Sequence, residues 1–288
     1  MIGYHFFDIN GFYWRHLERA LVPLSMPHID PEVTERDVKK ILKQQGAYLI
    51  RWDTGFDRYE TSEWWHIIKD EPEDISSLNK KTRYMIRQGA KLFDVRLCDR
   101  DYIASNAYHV YEAAFARYKT FDERYSFQDF KLNIIKLPIE TEFWGVFDRK
   151  NDQLVAFSEN LVREDACFYS SMWFEPESMK KFSGYVLFHE MNNYYLNNKK
   201  LKYVSDGARS ISHQTNIHAF LVSKFGFRKA YSKLEVAYRF GLYPMIWCLY
   251  PFRKWLKGDS SEILKKVSVL LEQERIRRSC ENLVVKLG

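Results

Sequence analysis

Residues 165–231 alternate β-prone runs with runs of helical spacing, and this alternation limits the fold more than any other part of the chain. Residues 166–174 are rich in aromatic side chains, which predicts a strand. Pro176 ends that strand because proline cannot donate a ladder hydrogen bond. A polar loop over residues 178–184 follows, so the stretch opens as a strand and a loop.

Two helices and two further strands come after the loop. Leu187 and Met191 recur with the spacing of one helix face, which predicts a helix that starts at Gly184. Residues 201–204 predict a short strand, and a second helix ends at Gly226, a residue type that favours the left-handed position after a helix. Another strand then opens, so the order is strand, loop, helix, strand, helix, strand.

This order of elements, with a glycine at the start of the first helix, resembles the acyl-CoA core of the GNAT superfamily of N-acyltransferases. The segment in the place of the family's pyrophosphate-binding turn is Lys181-Phe182-Ser183-Gly184-Tyr185-Val186. Lysine and valine replace the two flanking consensus residues of the family. The resemblance implies an α/β (α+β) fold with a mixed, twisted, mostly antiparallel sheet flanked by helices.

The last helix of this core departs from the family pattern. Counting back from the glycine that ends it places Val222 where GNAT proteins have the tyrosine that protonates the leaving thiol. Thr215 takes the place of the family's asparagine, and Asn216 lies one residue out of register. Tyr231, Ser223 or water would therefore have to protonate the thiolate.

A basic segment upstream resembles the helix that opens the second GNAT-like domain of Fem-type aminoacyl transferases and related FemAB-like proteins. Its sequence is Leu78-Asn79-Lys80-Lys81-Thr82-Arg83-Tyr84-Met85-Ile86-Arg87-Gln88-Gly89-Ala90-Lys91. We expect this helix to end at Gly89. Its cations suit an acidic ligand such as a phosphate or a tRNA backbone, although a solvated helix face is the more common reason for such a run.

The two resemblances together cover about residues 75–240 and predict three segments. Residues 1–75 would be a truncated N-terminal GNAT-like segment packed onto the main sheet, and residues 76–240 the GNAT-like acyltransferase domain. Residues 241–288 would be an aromatic strap followed by an amphipathic C-terminal helix. The aromatic residues at 243–257 are followed by cations, as in an interfacial membrane anchor that makes weak contact with a membrane surface. We favour a strap packed over the sheet, because prolines interrupt a clean amphipathic helix.

The composition is that of a globular chain of 288 residues, 46% hydrophobic and 17% aromatic, with a formal net charge of +6 that suits an anionic ligand or surface. The four cysteines fall in no Cys-x-x-Cys or Cys/His spacing, which predicts reduced thiols, no metal site and a cytoplasmic protein. The first residues lack the basic and apolar regions of a signal peptide. No apolar run reaches the roughly 20 residues that a spanning helix needs.

Helical spacing over residues 101–118 and 127–137 predicts two helices that, by the GNAT resemblance, wall the acceptor cleft. Residues 142–147 and 153–163 predict a hairpin. In its second strand Glu159 shares one face with three apolar residues by the two-residue period, Val155, Phe157 and Leu161. Burial in that row would raise the pKa of Glu159 towards neutrality, as a general base requires. A solvent-exposed face or a pairing with arginine is an equal alternative.

Asp206 is the second candidate base, because it follows a short strand at a position where open α/β sheets commonly bind ligands. It is also the first residue of an Asp-Gly turn, which an aspartate caps without any catalytic role. The resemblance further implies a donor site that joins the main chain of the strand over 166–174 to the helix start near Gly184. The residues assigned to it are Ser171, Met172, Lys180, Lys181, Phe182, Ser183, Gly184, Tyr185, Thr215 and Asn216.

Three functions follow from these observations. The first is an N-acyltransferase that uses acetyl-CoA or another acyl-CoA as co-substrate and a small amine-bearing acceptor. The second is a Fem-type transferase that moves an aminoacyl group from tRNA to a cell-wall precursor, which the basic helix and the aromatic C-terminal segment favour. The third is a catalytically degenerate GNAT-fold binding protein, which the missing tyrosine and the altered turn favour.

Overall fold

The computed structural model describes residues 6–17, 19–32, 34–117, 123–211, 216–256 and 262–285. Its strands are β1 Phe6–Ile9, β2 Phe12–Leu17, β3 Ala20–Pro23, β4 Leu49–Thr54, β5 Trp64–Lys69, β6 Phe93–Cys98, β7 Thr141–Asp148, β8 Gln153–Arg163, β9 Ala166–Phe174, β10 Tyr203–Ala208 and β11 Arg228–Tyr238. Its helices are α1 Glu35–Gln44, α2 Lys80–Leu92, α3 Arg100–Asn106, α4 Tyr108–Phe115, α5 Phe127–Ile135, α6 Pro176–Lys180, α7 Ser183–Asn192, α8 Asn216–Phe225, α9 Leu242–Leu249 and α10 Glu262–Ser279. A π-helical turn, Asn193–Asn198, extends α7.

The described strands form one eleven-stranded sheet in the order β1-β2-β3-β4-β11-β5-β10-β9-β8-β7-β6. Neighbours are antiparallel except for β3 with β4 and β10 with β9, so the predicted mixed and mostly antiparallel sheet is confirmed. β11 lies between β4 and β5, and the N-terminal strands thereby continue the main sheet. The division at residues 75 and 240 stays a prediction.

Helices cover both faces of the β7–β8 region. On one face α2, α7 and α8 share an apolar cluster with the sheet, to which Ile86, Leu187 and Leu221 belong. On the other face α3, α4 and α5 pack through a second cluster that includes Val110 and Phe130. The alternation of side chains along each strand supplies residues to both clusters.

Gly89 does not end the basic helix, and that expectation is wrong. The helix continues to Leu92, and a Cβ added at Gly89 would lie 2.3 Å from Cγ2 of Val186 and 2.9 Å from the carbonyl oxygen of Phe182. The glycine therefore lets α2 approach the first turn of α7, instead of serving as a helix stop. Gly226 does follow α8 with a φ of +71°, as predicted.

Three other boundaries differ from the sequence-based expectation. The helix expected over residues 101–118 is divided at Ala107 into α3 and α4, and residue 118 lies outside the described residues. The loop expected after Pro176 begins with α6, because proline at the first helical position supplies a suitable φ. The strand expected to end at Val204 continues to Ala208.

The aromatic segment expected to form a strap over the sheet contacts the last strand through Tyr243 and Tyr238, but most of its residues are exposed. Its first part is the helix α9, in which Ile246 is 1% exposed whereas Trp247 is 62% exposed. Trp255, further along, is 83% exposed. No helix in the described ranges is long and apolar enough to span a membrane.

Candidate functional site

The parallel strands β9 and β10 separate soon after they meet. Their register joins only Tyr203 with Ala166, Val204 with Cys167 and Ser205 with Phe168. Beyond this point β10 stays with β5, while β9 continues to Phe174 beside β8. Among the described residues, no strand pairs with β9 on its β10 side beyond Phe168. Backbone N–H and C=O groups on a strand edge can pair with a second extended chain.

The helix α7 begins close to the end of β9 along the chain. Phe182 is its N-cap residue and has a φ of +70°, and its carbonyl accepts hydrogen bonds from the amides of Tyr185 and Val186. In the described part of the chain the amides of Ser183 and Gly184 have no backbone acceptor. The positive end of a helix with free amides favours an anion such as a pyrophosphate.

The predicted donor-site side chains at this turn have different roles. Ser183 is fully buried, and its Oγ lies 3.0 Å from Oγ of Ser178, so its hydroxyl holds the corner between α6 and α7. Lys180 is exposed and its Nζ lies 2.6 Å from Oε1 of Glu177. Lys181 is exposed as well.

Other predicted donor residues are spread over three elements. The ring of Tyr185 packs edge-on against Phe220 of α8, with 5.1 Å between centroids. Met172 packs against the apolar cluster beneath α7. Asn216 opens α8, and Thr215 lies outside the described residues.

Glu159 is buried on the sheet face opposite α7. The side chains on either side of it, Ser158 and Asn160, both donate hydrogen bonds to Sδ of Met191 on α7, so strand alternation points Glu159 away from that helix. Burial raises the pKa of Glu159 to about 7, against the opposing effect of hydrogen bonds from Ser171 and Trp173. This is the protonation behaviour that a general base requires at neutral pH.

The apolar row predicted around Glu159 is correct for two of its three members. Phe157 and Leu161 lie in the clusters of the face opposite α7. Val155 is the extra residue of a bulge between β7 and β8, and it joins the cluster beneath α7 instead. A bulge shifts the alternation by one residue, which the sequence pattern does not reveal.

A second bulge places β9 beside Glu159. Asn160 pairs with Tyr169 and Glu159 with Ser171, so Ser170 is the extra residue. Ser170 and Glu159 line a cavity of about 10 Å³, which is room for about one water molecule.

This small cavity adjoins an open cleft of about 560 Å³. Leu137 and Thr141 line both spaces, and the cleft is bordered by Arg100 of α3 and Ile135 of α5. The helices α3 and α5 thus border a cleft through Arg100 and Ile135, and its use by an acceptor stays a prediction.

Asp206 forms an ion pair that the sequence did not predict. It is the extra residue of a bulge, because Ser205 pairs with Ile68 and Gly207 with Ile67. Its Oδ2 lies 3.2 Å from Nε2 of His218 on α8. Burial raises the pKa of Asp206, and the hydrogen bond and charge of His218 oppose that effect.

No local sequence signal links His218 to Asp206. Its ring packs edge-on against Trp65, with 5.4 Å between centroids, and Trp65 pairs with Tyr231 across β5 and β11. Asp206 and His218 therefore belong to the α8 side of the sheet, whereas Glu159 points to the opposite side. The structure does not bring the two candidate bases together.

Within the described ranges, no group of three or more His, Cys, Asp or Glu side chains is arranged to hold a metal ion.

Comparison with solved structures identifies the fold. The chain is similar to FemX, with a TM-score of 0.55 and 11% identity over 85% of this chain and 90% of that one. It is also similar to the C-terminal domain (DUF2156) of a putative lysylphosphatidylglycerol synthetase from Agrobacterium fabrum, with a TM-score of 0.48 and 12% identity over 86% of this chain and 88% of that one. For L-PGS from Bacillus licheniformis the TM-score is 0.47 and the identity 12%, over 91% of this chain and 85% of that one.

No protein-family profile matches the sequence, and no curated protein matches it. At this level of identity the similarity to FemX is one of fold, and it confirms the GNAT-type, FemAB-like fold that the sequence resembles.

Proposed function

We propose that this protein is an N-acyltransferase that transfers an acyl group from acyl-CoA to the amine of a small acceptor by direct attack in a ternary complex. The observation that carries this proposal is the separation of β9 from β10, with the amino end of α7 following β9. The pantetheine arm of the donor would pair with the open edge of β9 near Ser171 and Met172. Its pyrophosphate would meet the first turn of α7 at Gly184, with Lys180 and Lys181 adding positive charge.

Glu159 is the base in this proposal. The acceptor amine enters through the cleft beside Leu137 and Thr141 and attacks the thioester carbonyl carbon. As the C–N bond forms, a proton of the amine passes to the carboxylate of Glu159, and the C–S bond breaks. The thiolate then takes a proton from Tyr231, Ser223 or water. Asp206, held by His218 on the other side of the sheet, is the second candidate base.

A second function, transfer of an aminoacyl group from tRNA to a cell-wall precursor, is favoured by the surface of α2. The first turn of this helix holds Lys80 and Lys81 and no acidic residue, although cations are unfavourable at the positive end of a helix. Tyr84, Arg87 and Lys91 are also exposed and follow with helical spacing. Such a stripe suits a phosphate backbone.

Calorimetric titration of acetyl-CoA and longer acyl-CoAs tests the proposal. A Lys181→Ala, Gly184→Asp variant should lose binding, because it removes a cation and adds an anion at the helix start. Gly184→Ala is the matched control and should bind normally, since its Cβ would meet only the ring of Phe174, at 3.6 Å. If the natural protein binds no acyl-CoA, the proposal is wrong. Aminoacyl-tRNA is then tested as the donor. If neither acyl-CoA nor aminoacyl-tRNA binds, the remaining function is that of a non-catalytic binding protein.

A further inference from the structure

The segment over residues 239–256 presents an apolar surface that the described fold leaves uncovered. Every residue of α9 is uncharged and most are apolar, Leu242-Tyr243-Pro244-Met245-Ile246-Trp247-Cys248-Leu249. Of these side chains only Ile246 is buried. A helix that is apolar on all sides normally lies inside a protein or in lipid, so the exposed side of α9 lacks the environment that its composition suits.

Aromatic side chains extend this surface beyond the helix. Phe240 precedes α9 and is fully exposed, and Phe252 and Trp255 follow it, 48% and 83% exposed. Together with Trp247 they form what we term the aromatic surface, residues 240–256. Tryptophan and tyrosine are the residues enriched where hydrocarbon meets water at a membrane surface.

The aromatic surface is attached firmly to the rest of the protein. Ile246 is buried, and the ring of Tyr250 lies between two guanidinium groups, with 4.4 Å from its centroid to Cζ of Arg253 and 3.9 Å to Cζ of Arg278 on α10. The exposed aromatic residues are therefore held outward by contacts on the opposite side of the segment.

The charges of this segment indicate what covers it. Residues 239–256 contain Arg239, Arg253 and Lys254 and no aspartate or glutamate. Arg239 precedes the apolar residues, and Arg253 and Lys254 lie between Phe252 and Trp255. Cations next to aromatic and apolar residues are typical of segments that lie in the interface of a bilayer with anionic lipids. The eight residues of α9 span roughly 12 Å, too short to cross the roughly 30 Å of a hydrocarbon core.

We propose that the aromatic surface docks this protein onto a membrane that contains anionic phospholipid, with α9 lying in the plane of the interface. This inference is independent of the proposed acyl transfer, because it requires neither a donor nor an acceptor. It places the protein at a lipid surface by means of Trp247, Trp255 and the neighbouring cations.

Vesicle flotation tests the inference with the full chain. The protein should float with vesicles of phosphatidylcholine and phosphatidylglycerol, and at least tenfold less with phosphatidylcholine alone. A Trp247→Ser, Trp255→Ser variant should lose at least tenfold in binding. Ile139→Ser is the matched control, since Ile139 is 92% exposed outside this surface. An Arg239→Gln, Lys254→Gln variant should lose the preference for phosphatidylglycerol.

A fluorophore on Cys248 gives a second readout that needs no substitution. Cys248 is exposed, Cys167 and Cys280 are buried, and burial raises the pKa of the Cys98 thiol to about 11, so labelling favours Cys248. Its emission should shift to the blue on addition of phosphatidylglycerol vesicles.

No flotation and no shift would overturn the inference. So would sedimentation showing a dimer that the tryptophan variant abolishes while neither protein binds vesicles, because a second copy would then cover the surface.

Discussion

Glu159 on β8 pairs with Ser171 on β9, and the side chain of that serine donates a hydrogen bond to the buried carboxylate. The bond stabilises the ionised form, but burial outweighs it and raises the pKa of Glu159 from 4.5 to about 7. Two predictions depend on this carboxylate.

The first concerns stability. Between pH 4.5 and about 7 the folded protein keeps a proton on Glu159 that the unfolded chain has lost, so the free energy of unfolding falls as the pH rises through this window. The shift corresponds to about 3 kcal/mol. Glu159→Gln cannot titrate, and urea denaturation at pH 5 and pH 8 should show a smaller loss of stability in this variant. An equal decrease in the free energy of unfolding between pH 5 and pH 8 in both proteins would contradict the raised pKa of Glu159.

The second prediction concerns catalysis. A general base acts in its ionised form, so the rate of acyl transfer should rise with pH through about 7 and then level off. Glu159→Gln should lower kcat by about 10²–10⁴-fold while donor binding is retained. Glu112→Gln, which alters a carboxylate paired with Arg124 at the surface, should leave the rate unchanged. A Glu159→Gln enzyme with normal kcat would exclude Glu159 as the base.

The third prediction concerns the pair of Asp206 and His218, whose side chains are 10% and 12% exposed. Asp206→Asn and His218→Gln each remove one partner of a buried interaction. A double-mutant cycle measured by urea denaturation should therefore give a coupling energy of about 0.5–3 kcal/mol. If the decreases in the free energy of unfolding of the two single variants add up to that of the double variant, the contact between Asp206 and His218 does not contribute to stability.

The fourth prediction concerns the contact of α2 with α7. Gly89→Ala places a methyl group against Val186 and the carbonyl of Phe182, and overpacking of this kind costs about 1–3 kcal/mol in the free energy of unfolding. Val186→Ala in the same chain should restore part of the loss. Gly184→Ala is the control, with stability unchanged or slightly raised. A neutral Gly89→Ala variant would show that the two helices are not in close contact.

The fifth prediction concerns the first turn of α2. Lys81→Glu replaces a cation by an anion at the positive end of the helix, and it should raise the free energy of unfolding by about 0.3–1 kcal/mol. If α2 binds a polyanion, the same change should weaken tRNA binding and reduce its dependence on salt. Thermal unfolding and filter binding across a salt series measure the two effects. If tRNA binding is unchanged, Lys81 belongs to a solvated face of α2 and does not contact the polyanion.

Local patterns in the sequence predicted much of the fold. Residue spacing predicted the hairpin of β7 and β8, the strand β9 and the two helices α7 and α8. The apolar residues on the same strand face as Glu159 indicated that its side chain could be buried. These features depend on neighbours within a few residues. A two-residue or 3.6-residue period in the apolar residues therefore predicts these strands and helices directly.

Contacts between distant segments were decided only in the tertiary structure. Gly89 looked like a helix stop because the approach of Val186, nearly a hundred positions later, cannot be seen in the local pattern. The sequence does not indicate the contact of His218 with Asp206, because the two residues lie on different elements.

The aromatic residues at 243–257 were expected to pack over the sheet. Sequence reports that a side chain is apolar, but only the fold decides whether another surface covers it. The sequence thus determined most of the helices and strands from α2 to α8, while the bulges, the pairing of Asp206 with His218 and the exposed aromatic surface followed from packing across the whole sheet.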